Sequence, residues 1–262
     1  MNPFMVLMKK EYVQMARDYK LVWLPLIFIL LGISQPLLTY YLPDILASVG
    51  GGEGIIIDPD MAPNTGGEVI AATLGSQFDQ IGLMILVISL MGIIQADKES
   101  GMLGFILTRP VPAGAYVGGK LLSHFTVTAL SVAIGYFLAY AYAVFLFSGV
   151  SLVTAVLALL LYLVWVLFIV SLTSMLSTMI NGQPVIALAG IGILLLCSMT
   201  SGMHPVMAWL NPAGMSLHAV QLLAAGAPGD GVYVNMAVTL ILSMAAVLIA
   251  QSWIAGKKFN QA

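Results

Sequence analysis

Charge is what this sequence has least of. Only 8% of its 262 residues are Asp, Glu, Lys or Arg, while 60% are hydrophobic; soluble domains carry about 25% charged residues. From Leu121 to Gly229 there is no Asp, Glu, Lys or Arg. That shortage, with a mean hydropathy of +1.03, excludes a soluble globule and leaves an all-α integral membrane protein. Cysteine is nearly missing too, and the lone Cys197 excludes an intramolecular disulfide without identifying a compartment. No stretch is polar enough for a soluble domain, so residues 1–262 read as one membrane domain.

Apolar runs of roughly 20 residues mark membrane spans. Six are expected, at about 21–42, 78–95, 121–147, 152–178, 185–203 and 232–255, separated by turn signals such as Ser148-Gly149 and Asn181-Gly182-Gln183-Pro184. Pro25 and Pro36 are expected to kink the first span. The second reads short, with Asp79 at its outer edge. Before it lies a loop holding Asp44, Glu53, Asp58, Asp60 and Glu68 but no basic residue, in which Gly50-Gly51-Gly52 and Gly66-Gly67 read as turns or flexible stretches. Residues 204–232 are too broken by Pro205, Asn211-Pro212-Ala213-Gly214 and Ala227-Pro228-Gly229 for one helix, and too apolar for a free loop. They read as short helices at the outer surface.

Residues 3–20 carry Phe4, Met8, Tyr12, Met15 and Tyr19 at helical spacing, with Lys9, Lys10, Glu11, Gln14, Arg17 and Asp18 largely elsewhere. This is an interfacial amphipathic helix; a cleaved signal peptide fits less well, because the apolar core after it exceeds the usual 7 to 15 residues. Lys and Arg favour the cytoplasmic side of span ends. Six spans with both termini inside put Lys9, Lys10, Arg17, Lys20, Lys98, Arg109, Lys120, Lys257 and Lys258 on that one face. The expected location is the cell membrane, multi-pass.

Residues 96–120 are the charged segment between two long apolar blocks. Met102, Leu103, Ile106 and Leu107 stand at helical spacing, and Arg109-Pro110-Val111-Pro112 stops the helix because proline lacks an amide donor. The order Glu99, Ser100-Gly101-Met102-Leu103, Leu107, Arg109-Pro110-Val111, Tyr116, Gly119-Lys120-Leu121 resembles the loop after the second span in permease subunits of type-2 ABC transporters. Lys10-Glu11 and Arg17-Asp18 resemble that family's N-terminal elbow helix. The chain departs from the pattern at Met102, where a small hydroxyl or Leu is common, and at Pro112-Ala113, where Ser-Arg is common.

The resemblance implies a short cytoplasmic coupling helix between spans 2 and 3, docked on a separate ATPase subunit. Asp97, Glu99, Met102, Leu103, Leu107, Arg109 and Pro110 would make that contact, and the interfacial helix (Phe4, Met8, Lys10, Glu11, Tyr12, Met15 and Arg17) would share the load. ATP and Mg would belong to the partner; this chain would hold no cofactor, would not be an enzyme itself, and would pair with a second permease copy or paralogue in the bilayer, most naturally for export. No nucleic-acid partner is expected.

Other constellations are weaker. Gly114-Ala115-Tyr116-Val117-Gly118-Gly119-Lys120 matches a phosphate loop up to the Lys, but Leu121 replaces the Ser or Thr that binds magnesium. A secondary carrier or channel would place ionisable groups inside its spans; Asp79 and His124 are the candidates, each read as a membrane-boundary residue. Gly214-Met215-Ser216-Leu217-His218 invites an intramembrane hydrolase, yet Ser216 and His218 would lie on different helix faces with no carboxylate nearby. Met199, Met203, His204 and Met207 offer a weak Cu(I) set. Methionine is also a common filler of apolar gaps, so no metal is expected.

Overall fold

A bilayer offers no water to backbone amides, so a spanning segment must bond its own. The chain does this with helices alone: the computed structural model, which describes residues 3–49, 65–108 and 112–259, has no strand among them. The helices are α1 (Pro3–Arg17), α2 (Lys20–Val49), α3 (Gly66–Ala72), a π-helical stretch (Thr73–Gly82), α4 (Leu83–Leu90), α5 (Gly92–Glu99), α6 (Met102–Leu107), α7 (Ala113–Leu146), α8 (Leu152–Met179), α9 (Gln183–Ser201), α10 (Pro205–Leu210), α11 (Gly214–Ala225) and α12 (Val232–Phe259). Six segments among the described residues are long and apolar enough to cross a membrane: Lys20–Ile45, Gly66–Glu99, Ala113–Leu146, Leu152–Met179, Gln183–Ser201 and Val232–Gly256. The protein is an all-α integral membrane protein with a helix ahead of the first span, a short helix between spans 2 and 3, and two short helices between spans 5 and 6.

The second span differs from expectation. It starts at Gly66, not near 78, because Thr65 and Glu68 form a capping box: the Thr65 hydroxyl accepts from the Glu68 amide and the Glu68 carboxylate accepts from the Thr65 amide. Gly66 and Gly67 are therefore not a flexible stretch. They are the first helical turn, pressed so close to neighbours that a Cβ would strike the Ser148 carbonyl at Gly66 and the Leu223 carbonyl at Gly67. Glu53, Asp58, Asp60 and Gly50-Gly51-Gly52 lie outside the described residues. The third span likewise starts earlier, at Ala113, with Pro112 as its extended N-cap residue.

Between α4 and α5 the second span is interrupted at Met91. The cause is Ser177 of α8, whose hydroxyl donates to the Met91 carbonyl (3.0 Å) and accepts from the amides of Ile94 (3.1 Å) and Gln95 (2.9 Å). A side chain inserted into the ladder is a standard cause of a helix break. α5 begins directly after it and carries Asp97 and Glu99 in its last turn.

Between α2 and α7 the backbones touch. A methyl at Gly135 would meet the Phe28 carbonyl, and one at Gly32 would meet the Gly135 carbonyl. Small residues let helices approach this way in membranes, where dispersion rather than water release holds them. Gly190 also packs inward, against Val87, whereas Gly192 faces open space. The main core lies where α2, the second span, α7, α8 and α11 meet, around Trp165, Tyr162, Tyr136, Phe28 and Phe78. Gly135→Val is expected to destabilise the bundle by about 1–3 kcal/mol, as overpacking does. Thermal unfolding in detergent reads this as a lowered midpoint; an unchanged midpoint would mean that no such close crossing exists.

Candidate functional site

The charged residues of α1, α5 and α7, with Lys20 of α2, converge at one end of the bundle, here called the basic end. Charges near an apolar core must be paired or they cost several kcal/mol each, and these are paired across chain distance. Lys120 of α7, 3% exposed, places its Nζ 3.0 Å from Glu11 Oε1 of α1 and 3.0 Å from Asp97 Oδ2 of α5. The approach to Oε1 is off the hydrogen-bonding direction, so that contact is coulombic. Tyr116, one turn before Lys120, donates its hydroxyl to Asp97 Oδ2 at 2.7 Å, and Lys10 Nζ lies 3.7 Å from Asp97 Oδ1. His124 extends the cluster toward α2: Lys20 Nζ lies 3.2 Å from His124 Nδ1 and also donates to the Ser89 carbonyl. An ammonium has no lone pair, so Nδ1 must accept and Nε2 carries the proton. That N–H faces Glu11 Oε2 at 3.5 Å.

Burial alone would push the Glu11 carboxyl up; the His124 hydrogen bond and the Lys120 ammonium outweigh it and hold the group down at about 2. A crevice of about 220 Å³ opens beside the cluster, lined by Glu11, Gln14, Lys20, Ser89, Lys120 and His124 among others.

Above this cluster sits α6. Gly101, in the left-handed region at φ 73°, turns the chain between α5 and α6, a conformation that costs glycine little. Leu103, 7% exposed, anchors α6 in a small second core with Ile93, Ile94, Tyr116, Val117, Ala250 and Ile254. Met102 and Phe105 face outward, 40% and 57% exposed. Glu99 is exposed and accepts from Gln95 (3.2 Å) and Gln183 (2.8 Å), while Lys98 donates to the Ile180 carbonyl (3.0 Å). These bonds bring the uncharged α8–α9 connection to the basic end.

The sequence-derived site residues thus divide. Asp97, Lys10, Glu11, Leu103 and Met15 face the bundle, and Asp97, Glu11, Leu103 and Met15 are buried there. The expected role of Asp97 and Leu103 as outward contacts is corrected accordingly: their side chains are already spent on the fold. Phe4 and Met8 lie against Gly118 and Gly119 of α7, Tyr12 packs on the main core, and Arg17 is exposed. The expected apolar stripe is corrected at its end, since Tyr19 is 73% exposed. Met102 and Glu99 remain on the surface. Arg109, Pro110 and the Leu107 side chain lie outside the described residues. Phe105, off the expected apolar stripe, was not anticipated; an aromatic residue on the polar side of a short amphipathic helix was the available signal.

The remaining constellations come apart. Gly114–Lys120 is helix, not a loop, and its Lys is held by carboxylates. Met199, Met203 and Met207 are exposed at 74%, 77% and 53%, and His204 caps α10 by accepting from the Val206 amide. Ser216 does have a carboxylate partner, contrary to expectation: it donates to Asp79 Oδ2. No histidine stands between them as a base, because His218 lies elsewhere on α11, so the pair is not a hydrolase triad.

The chain is 33% identical over 231 residues, 88% of each chain, to a protein of Bacillus subtilis (strain 168) named uncharacterized transmembrane protein YxlG. It belongs to that protein's family. No family model matches the chain. Family and fold agree on a multi-pass transmembrane protein.

Two predictions follow the ion cluster. Lys120→Met should cost about 3–5 kcal/mol, because two buried carboxylates lose their cation. Adding Glu11→Gln should restore part of that loss, as thermal unfolding of the single and double variants would reveal; simple additivity would count against direct coupling. The second concerns pH. The Glu11 carboxyl is depressed from 4.5 to about 2 on folding, so its stabilising contribution is complete above about 4.5 and is lost as pH falls toward about 2. Spin labels at Val13 and Leu122, both exposed, should keep a fixed separation from pH 7 to about 4.5 and spread below it; loosening near pH 6 would exclude Glu11 as the cause.

Proposed function

We propose that this chain is the permease subunit of a type-2 ABC transporter, working as a pair with a separate ATPase, in the cell membrane with the basic end cytoplasmic. The observation that carries the reading is α6. It is a short helix held across the basic end, directly after the second span, in the segment whose residue order resembles that family's coupling region. Its outward face offers Met102 and Phe105, with Glu99 beside it. An apolar pair gives buried area and a rim charge gives register.

The ion cluster supplies the route for load. Closure of an ATPase pair against α6 would press on α5 through the Gly101 turn, and Asp97 would pass that displacement to Lys120 of α7 and, through Glu11, to α1. Side chains paired at 3.0 Å resist separation because each would be left charged and unpaired. The first two spans and the third would then move with the elbow helix, opening a pathway outward, in the sense of export.

Met102→Asp and Phe105→Asp together should leave the chain inserted and folded but remove a co-purifying ATPase from mild-detergent extracts of cells that express it natively. Mass spectrometry of the parent and the variant decides it. A parent chain that purifies with no ATPase, or a variant that retains one in full, would overturn the docking reading and favour a self-sufficient carrier or channel.

A further inference from the structure

At the other end of the bundle, Asp79 lies well inside the second spanning helix, which begins at Gly66. It lies about 20 Å along the second spanning helix from Gly66 and about 30 Å from Glu99, at 1.5 Å per residue. It stands in the π-helical stretch, a geometry that often marks functional sites. Ionisable groups inside a membrane are costly and are retained where they do something.

Its polar neighbours are neutral hydrogen-bond donors. Ser216 of α11, 2% exposed, donates to Oδ2, and the Tyr162 hydroxyl and Trp165 indole face the same carboxyl from α8. Ser216 is in the first turn of α11, so the positive end of that helix dipole points at the carboxylate. α11 itself runs back along the second span, with Ser216 beside Asp79 and Leu223 beside Gly67. It is a short apolar helix packed alongside a spanning one. Asn235 fixes its approach by donating to the carbonyls of Ala208 (2.8 Å), Trp209 (3.0 Å) and Asn211 (2.8 Å).

Yet the site is incomplete. Asp79 Oδ1 and the Nε1 of fully buried Trp165 have no hydrogen-bond partner among the described residues, and no cation there lies within ion-pair distance of Asp79. Asp79 lines a cavity of about 510 Å³ between the second span, α9 and α11, whose walls are otherwise mostly apolar: Met84, Leu195, Ala213, Leu217 and Val220. Ser198 also lines it. The volume falls within the usual range of small-molecule sites. A bare metal ion would need several ligands, and among the described residues no three His, Cys, Asp or Glu come together. An organic cation needs one carboxylate and an apolar wall.

We propose that this cavity binds an amphiphilic organic cation, with the Asp79 carboxylate as its counter-ion and Met84, Leu195, Leu217 and Val220 against its apolar part. The site is separate from the basic end, and its test needs neither nucleotide nor partner, so failure of one reading leaves the other standing.

The probe is tetraphenylphosphonium, measured by equilibrium dialysis against the full chain in maltoside micelles, with triphenylphosphine oxide as an uncharged comparator. The expected result is saturable phosphonium binding that Asp79→Asn weakens by about tenfold or more, while the comparator binds equally to both. Leu217→Trp, which fills the cavity and leaves the carboxylate in place, should weaken both ligands. Absence of saturable phosphonium binding to the parent, or an affinity unchanged in Asp79→Asn, would overturn the proposal. Should Asp79→Asn aggregate, Leu217→Trp decides: undiminished binding overturns the site, and lost binding by a well-folded variant upholds it.

Discussion

A charge withdrawn from water must be met by an opposite charge, and at the basic end one ammonium meets that requirement for two helices at once. Lys120 sits between Glu11 and Asp97, so α1, the end of the second span and the start of the third share one electrostatic centre. The hydrophobic effect cannot supply this link, because lipid is as apolar as the helices and does not drive them together. Directional polar contacts therefore carry much of the specificity in a bundle whose surface is apolar on nearly every side. The Ser177 insertion at Met91 is another such contact, tying α8 to the start of α5 through one hydroxyl.

The two polar regions follow opposite logics. At the basic end the two buried carboxylates, Glu11 and Asp97, share the Lys120 ammonium, and the result is a paired junction under a surface helix. Around Asp79 the donors are neutral, one carboxylate oxygen is unmet, and space is left open. A satisfied network holds structure together; a carboxylate without a cation, at the edge of a cavity, has binding capacity in reserve. The same α8 helix reaches both regions, with Ser177 at one end and Tyr162 and Trp165 toward the other, which gives a physical connection between them.

Reading the residues in order recovered the class, the presence of six spans and the placement of a helix between spans 2 and 3, since each depends on run length or period. It misplaced the start of the second span. There Thr65 and Glu68 spelled a capping box, but Gly66-Gly67 between them read as a flexible break, and only contact with Ser148 and Leu223 explains why two glycines open a helix. Asp79 was misjudged as a consequence: with the span begun late, a mid-helix carboxylate looked like an edge residue. In α6, period identified an apolar stripe but not which way it faced, so Leu103, expected on the docking surface, is buried, and Phe105, given no role by the sequence, is exposed.

By itself the sequence determined that this chain lives in a membrane as helices, because 60% hydrophobic residues and a charge-free stretch from Leu121 to Gly229 come in continuous apolar runs of about 20 residues, which suit helices and not the alternating strands of a closed barrel. It also confined the basic residues to one set of helix ends. Only the tertiary structure decided that Glu11, Asp97, Lys120 and His124 form one cluster, that the α8–α9 connection joins that end, and that Asp79 meets Ser216. Such pairings join residues tens to more than a hundred positions apart, and their existence depends on distances of about 3 Å, which no local pattern along the chain encodes.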